Sequence, residues 1–403
     1  MSLKARLLRV IISMVVMSIL LMGGISINIA VNESTDALTD SVKERLTSQN
    51  EQTSEALLRY FNFIESQIRA KSYSLDVVEA IKNFLPAYNN YANDRGTATK
   101  AEIGSIESYY NVDFTNQYNA KNSTRLNSAA AALNGLNNNA LALQHDFIAS
   151  SAYALGEKDG LSELGNGTKY AQVHNKYHPT LRQFLQEFGY YDMFIVDVNN
   201  GNIIYSVFKE IDYATSLSTG PYADTGIAEA FKKAANANSP DEVFFSRFEQ
   251  YRPSYDALSG FASTPIYANG RQIAVLIFQI PLVVINNILT HEQKWAEKGF
   301  GESGETYLVN DEGLLMNESR FFVDDKSAYL AAMKAKYAKE AKDIEQSDTT
   351  VGIQPVDSSS AKLALRGEHG FQIIADYRDV DVFSAYYPLK IDSYPYALMG
   401  RLM

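Results

Sequence analysis

His174 and His178 stand four residues apart, a spacing at which two helical side chains share one face and can ligate a metal. No H-E-x-x-H pattern accompanies them and no third ligand is close in sequence, so the expectation is a solvated helix face with no metal. The run Gly299-Phe300-Gly301-Glu302-Ser303-Gly304 satisfies G-x-G-x-x-G. A dinucleotide fingerprint needs a strand before it and a helix after it. Here a helical pattern precedes and a strand pattern follows, so the glycines are expected to form a turn. No G-x-S-x-G elbow and no P-loop occurs. The carboxylates belong to a chain of net charge -11 and are read as surface charge, not as a catalytic pair. Cysteine is absent, which removes disulfides, thiolate metal sites and cysteine nucleophiles. The chain is expected to be no enzyme, with no catalytic residue and no cofactor.

The chemistry that remains is recognition. Between residues 190 and 267 the strand-like segments are apolar on both faces, so both faces must be covered. One face is expected against long helices. The other is expected against the loops 211–225 and 246–258, which carry Asp212, Tyr213, Tyr222, Arg252, Tyr255 and Asp256. Apolar walls with a few convergent polar groups suit a small-molecule pocket. Tyr205, Ser263 and Gln279 are the candidate sheet residues, with Val207, Phe261 and Ile277 as their apolar wall. Tyr213, Arg252, Tyr255 and Asp256 are the loop candidates. Arg252 can hold a carboxylate bidentately and Asp256 can accept from an ammonium. The expected ligand is a small polar metabolite.

Several elements must position these residues. The chain has 403 residues, 46% of them hydrophobic and 21% charged, enough for more than one packed unit. No Lys/Arg-rich run follows the first few residues, which argues against nucleic acid. Lys4, Arg6 and Arg9 precede a nearly uncharged run, Val10 to Val31. About 22 residues span roughly 33 Å as helix, enough to cross a bilayer. The basic flank places residues 1–9 in the cytoplasm and residues from about 32 onward outside it. A cleaved signal has a shorter apolar region, and Asn28 suits a cleavage site before Ala30 badly, so an uncleaved anchor at 10–31 is expected. Residues 32–72 form a stalk helix with Leu57, Phe61, Ile64 and Ile68 at helical spacing. The stripe thins at Leu38, Val42 and Leu46, so a partner helix in a homodimer, or the protein's own domain, must cover it.

Residues 73–189 are expected to be a helical region. It has a helix over 74–93 ending near Pro86, an aperiodic stretch over 94–122, a helix over 123–155 and a loop from Gly156 to Gly167. A further helix over 170–188 is interrupted or restarted at Pro179. The helix over 123–155 rests on a heptad seam through Ala129, Leu133, Leu136, Ala140, Leu143 and Phe147. Residues 190–298 carry strands at 193–198, 203–208, 243–248, 260–267 and 273–280, then a helix over 281–298. Residues 299–403 carry strands at 306–310, 314–317, 371–377, 382–389 and 394–402, broken by a charged, solvent-facing helix over 326–346. The two sets read as copies. Phe194-Ile195-Val196-Asp197 with a turn ending at Gly201 matches Tyr307-Leu308-Val309-Asn310 with a turn ending at Gly313. Pro265-Ile266 before Asn269-Gly270 matches Pro388-Leu389 before Asp392-Ser393. Hairpin-linked strands with helices gathered at the ends give an α+β fold.

Two stretches carry a resemblance. They are Phe188-Gly189-Tyr190-Tyr191-Asp192 running on to Tyr205-Ser206-Val207-Phe208-Lys209-Glu210, and Gly301-Glu302-Ser303-Gly304-Glu305-Thr306-Tyr307-Leu308-Val309. With the anchor, the long helix and the paired modules, the chain resembles the double Cache (tandem PAS-like) ectodomains of methyl-accepting chemotaxis proteins. The resemblance implies a membrane-distal module at 190–298 and a membrane-proximal module at 299–403. It implies a periplasmic ligand-sensing receptor of the bacterial inner membrane that acts in chemotaxis and signal transduction. Similar ectodomains serve histidine kinases and nucleotide cyclases, and these are the alternative outputs. A membrane-anchored hydrolase and a passive binding protein are the other readings. The amine- and carboxylate-binding motif of the amino-acid-sensing subgroup is not visible in the sequence, so that specificity is not carried over. Such receptors continue into a second transmembrane helix, a HAMP-type linker and a cytoplasmic signalling domain, so a chain that stops at Met403 is expected to be a fragment or a truncated product.

Overall fold

The computed structural model describes residues 3–376 and 380–403. Tyr377 of the strand expected over 371–377, and residues 1–2 of the expected tail, lie outside the described residues.

One helix, α1, runs unbroken from Leu3 to Ser72. Its side chains are exposed from Leu7 to Leu38, and this segment is long and apolar enough to cross a membrane. From Leu46 onward a stripe of Leu57, Phe61, Ile64 and Ile68 is buried. The stripe is covered by the protein's own domains, with Phe61 edge-on to Phe245 at 5.5 Å. Arg69 and Lys71 in the last turn complement the helix dipole.

Up to residue 155 the helical region departs from expectation in three places. Helix α2 (Leu75–Asn89) passes Pro86 and is followed by α3 (Tyr91–Arg95). The aperiodic stretch is helical: α4 (Lys100–Ser108), a π-helical turn (Tyr109–Phe114) and α5 (Thr115–Lys121). Thr99 starts it with a capping box, its hydroxyl accepting from the Glu102 N–H while the Glu102 carboxylate accepts from its own. The expected helix over 123–155 is broken instead. A 3-10 turn (Ala130–Leu133) leads to Gly135 at φ +82°, and α6 (Asn138–Gln144) begins afresh with Asn137 as its cap. Glycine in the left-handed region and asparagines that cap end a helix whatever the apolar spacing around them.

Helix α7 (Lys169–Phe188) continues through Pro179. It buries His174 and His178 where a solvated face was expected, with the rings stacked at 4.4 Å. His178 Nδ1 meets the Tyr205 hydroxyl at 2.8 Å and Nε2 meets the Asp159 carbonyl at 2.7 Å. Burial, then the Lys209 charge, holds His178 down at about 3.

The first sheet contains β1 (Asp192–Asp197), β2 (Ile203–Ser206), β3 (Phe244–Phe245), β4 (Glu249–Tyr251), β5 (Ala257–Ala268) and β6 (Arg271–Ile280). Its order is β2-β1-β6-β5-β3, with β4 also on β5. Helix α8 (Gly226–Ala235), not anticipated, crosses between β2 and β3. Helix α9 (Leu282–Thr290) stops short of Lys298 because His291, Glu292 and Gln293 all have positive φ. The second sheet has β7 (Glu305–Val309), β8 (Gly370–Ala375), β9 (Asp381–Ile391) and β10 (Tyr394–Leu402) in the order β7-β10-β9-β8. Residues 314–317 give only single bridges, Leu314 to Pro355 and Val309 to Leu315. The order β1-β6-β5-β3 thus repeats as β7-β10-β9-β8 in two separate antiparallel sheets, and the fold is α+β.

The charged segment is not one solvent-facing helix. After α10 (Arg320–Asp324) come α11 (Lys326–Lys336) and α12 (Ala338–Ser347), which bury Tyr329, Leu330, Met333, Ala341 and Ile344 in a small core. Helix α13 (Ser359–Leu365) covers the second sheet.

The helical region is tied together by Arg95. Its Nη2 donates to Glu102 Oε1 and Asp146 Oδ1, both at 2.6 Å, and its Nε donates to Asp146 Oδ2 at 2.9 Å. Tyr91 donates to the same Asp146 oxygen at 2.5 Å. Arg95 holds the Glu102 carboxyl down at about 2. Burial raises Asp146, but its bonds to Arg95, Tyr91 and His145 outweigh this and leave it below the usual range. Removing one partner of a half-buried pair strands the other. Arg95→Met is expected to destabilise the protein by about 3 kcal/mol, read as a fall in the unfolding midpoint. Both carboxyls have folded pKa values below their unfolded ones. Their contribution is therefore complete above about pH 4 and lost as pH falls through the folded values, and Arg95→Met should flatten that acid limb.

Candidate functional site

Residues paired across an antiparallel ladder share a face. Asp192 pairs with Gln279 and Gln279 with Phe261; Phe194 pairs with Ile277 and with Ser206, and Ile277 with Ser263. These residues line the face turned toward α8 and the loops. Tyr205 pairs with Ile195 and lies on the opposite face. It packs on Phe84 at 5.0 Å and bonds His178, among the helices. The expectation that Tyr205 shares a face with Ser263 and Gln279 is corrected: periodicity sets alternation within a strand, but pairing register relates one strand to another.

The other candidates also separate. Tyr213 donates to the Tyr170 hydroxyl at 2.8 Å within the helical layer. Ser263 donates to the Ala230 carbonyl of α8 at 2.7 Å. Arg252, Tyr255 and Asp256 lie together on a strap that follows β4, where Tyr255 and Asp256 both have φ of 59°. Arg252 Nε donates to Asp256 Oδ1 at 2.9 Å, and the other Asp256 oxygen accepts from Tyr118 at 2.5 Å. Tyr255 stacks on Phe114 at 5.1 Å. Arg252 and Asp256 therefore satisfy protein partners. Gln279 lies beneath the strap. Its amide donates to the Ser254 and Ser259 hydroxyls, each at 3.0 Å, and its Oε1 is buried without a hydrogen-bond partner among the described residues.

Around Gln279 three acids are buried on the loop side. Asp192 accepts from the Ser206 hydroxyl at 3.0 Å and from the N–H groups of Met193, Val207 and Phe208. Burial, with the charge of Asp212, pushes it up to about 7. Burial and both neighbouring acids push Glu210 far above the carboxylate range. Asp212 accepts from Tyr251 at 2.5 Å through Oδ2, and burial raises it to about 6. Among the described residues its Oδ1 has no hydrogen-bond partner, nor has the buried Tyr222 hydroxyl. The cations nearby are muted: burial lowers Lys209 to about 7 and Lys158 to about 8. Unmet buried polar atoms are costly, so Asp212, Tyr222 and Gln279 mark the unfinished part of the module. Asp212 and Tyr222 were visible only as loop residues; nothing in their spacing signals burial beside two other acids.

Open space lies on the outer side of the strap. A cleft of about 460 Å³ separates Ser254, Tyr255 and Leu258 from Met316, Glu318 and Val351 of the second module. Among the described residues no histidine–carboxylate cluster suits a metal.

No protein-family model matches the chain, and no curated protein does. Solved structures with a similar arrangement include an extracellular ligand-binding receptor from Desulfohalobium retbaense, at 12% identity and TM-score 0.35. That match covers 61% of this chain and only 35% of the receptor. A domain of a sensory box/GGDEF family protein from Vibrio parahaemolyticus matches at 13% identity and TM-score 0.41, covering 90% of this chain and 97% of that one. The periplasmic sensory domain of the Campylobacter jejuni chemoreceptor Tlp1 matches at 11% identity and TM-score 0.36, covering 60% and 82%.

Asp212 is expected to be a cost to the unliganded fold. A carboxyl raised from its ordinary value to about 6 favours the protonated native state and penalises folding once it ionises. Asp212→Asn should stabilise the protein by about 2 kcal/mol at pH 7.5. The gain should shrink as pH falls from about 6 to 4 in paired thermal melts.

Proposed function

We propose that the chain is the extracytoplasmic, non-enzymatic sensing part of a membrane-anchored receptor, and that its first module binds a small polar ligand bearing an ammonium group. The observation that supports this is the buried trio Asp192, Glu210 and Asp212, with unmet oxygens on Asp212, Tyr222 and Gln279. A cation placed there would let the acids ionise and would supply the missing donors. A separate crevice of about 10 Å³ bounded by Tyr109, Lys158, Glu210, Pro253 and Tyr255 is the entry we favour, because the strap residues Pro253 and Tyr255 line it.

Signalling needs no bond chemistry. Ligand binding favours one packing of sheet, strap and helices over another. Helix α1 belongs to that packing and continues into the membrane-length segment, so a small displacement at the sheet moves the anchor. We place residues from about 32 onward in the periplasm of a bacterium. We assign the contact of a homodimer to the near-membrane part of the stripe, where Leu38 stays exposed. The resemblance of the two stretches quoted above favours a chemoreceptor output over a kinase or cyclase.

The test is a thermal-shift screen of amino acids, polyamines and quaternary amines against the full chain in nanodiscs. At least one amine is expected to raise the melting temperature by mass action. The response should weaken below pH 6 and vanish in Asp212→Asn, although that variant is itself no less stable. A response confined to anionic metabolites, or one retained in Asp212→Asn, would contradict the proposal.

A further inference from the structure

The strap that closes the acid cluster on one side forms a wall of the large cleft on the other. The cleft, about 460 Å³, falls within the size range of small-molecule sites. It is a defined seam between modules, bridged along one side by α12. There Gln346 donates to the carbonyls of Asn119 at 3.2 Å and Asn122 at 2.5 Å, and Ser123 donates to Asp343. Its apolar walls are Leu258 from the first module, Leu282 and Val283 from α9, and Met316, Val351 and Ile353 from the second.

The polar groups around these walls are unequal. Both acids are already engaged. Asp256 accepts from Tyr118 and Arg252. Glu318 accepts from the Thr349 hydroxyl, and from the N–H and hydroxyl of Thr350 at 3.0 and 2.8 Å. Among the described residues the Gln250 amide, the Lys121 ammonium and the Asn286 amide donate to no protein acceptor. The Lys121 ammonium lies 4.5 Å over the Tyr255 ring, with no carboxylate within ion-pairing distance among the described residues. Asn286 uses its oxygen to accept from the Glu318 N–H at 2.8 Å, and its amide hydrogens meet no protein acceptor among the described residues. A chamber with apolar walls and leftover donors, one of them a cation, is complementary to an anion on an apolar body.

We propose that this cleft is a second ligand site, taking a carboxylate with an apolar body. The carboxylate pairs with Lys121, and the body lies against Leu258, Met316 and Val351. It is separate from the acid cluster, which calls for a ligand of opposite charge. An occupant would brace the outer side of the strap and so bear on the inner site.

The experiment is calorimetric titration of the full chain in nanodiscs with 3-phenylpropionate, its amine 3-phenylpropylamine and its alcohol 3-phenylpropanol. Empty nanodiscs provide the subtraction. The carboxylate is expected to bind at least tenfold more tightly than the alcohol. Lys121→Gln should weaken it about tenfold. Val283→Trp should abolish it by filling the chamber from a position that is 61% exposed, and so needs no repacking. Thermal melts of both variants check that they fold. No heat at millimolar carboxylate, equal binding of the alcohol, or binding that survives Val283→Trp would overturn the proposal.

Discussion

Leu57, Phe61, Ile64 and Ile68 occupy one face of α1 and are buried against the first module, while Leu46 and Asn50 of the same helix are buried against the second. Both sheets are therefore held by a single apolar seam. Asn50 donates to the Ala385 carbonyl of β9 at 3.0 Å. Opposite it stands Gly400 of β10, where an added Cβ would come within 2.6 Å of the Asn50 oxygen. Gln49 reaches the Lys298 carbonyl, and Tyr190 donates to Gln67 at 2.5 Å. Neither module can shift along α1 without breaking such contacts, and close-packed interfaces move between discrete arrangements.

The duplicated sheets solve the same local problem differently. At one register position the first strand of each presents an acid to the last strand. Asp192 faces Gln279 in the first module, and Glu305 faces Arg401 in the second. Arg401 pairs with Glu305 and lies over the Tyr307 and Phe321 rings, so the second module supplies its own cation. The first offers an amide that leaves Oε1 unmet, and adds Glu210 and Asp212. An acid cluster whose neighbouring lysines are themselves pushed toward the uncharged form by burial costs stability, as sites held for binding commonly do.

Much of the fold was legible in the sequence. The strands announce themselves because two-residue turns such as Asn269-Gly270 need positive φ and flank unbroken apolar runs. The stalk stripe is regular enough to fix its buried face. The helical region was less legible, because Tyr109, Tyr110 and Tyr118 bury aromatic rings that also carry polar hydroxyls, which blurs the pattern. The alanine–leucine seam misled over 123–155, since Asn134, Gly135 and Asn137 decide the backbone there. Of the candidate residues, Gln279 and the strap residues Arg252, Tyr255 and Asp256 lie close together in the first module. Tyr205 lies on the opposite face and Ser263 is bonded to α8, because register and the presence of α8 are tertiary facts. The acid trio was hidden by the chain's overall acidity.

The central claim is that α1 is one rigid element joining the membrane segment to both sheets. The absence of cysteine makes a spin-label pair unambiguous. Asp36→Cys on α1 and Lys390→Cys on β9 can be labelled in the full chain in nanodiscs and their separation measured by pulsed electron resonance. The account predicts a single narrow distance distribution. A broad one, showing that the helix bends freely between membrane and sheets, would contradict it.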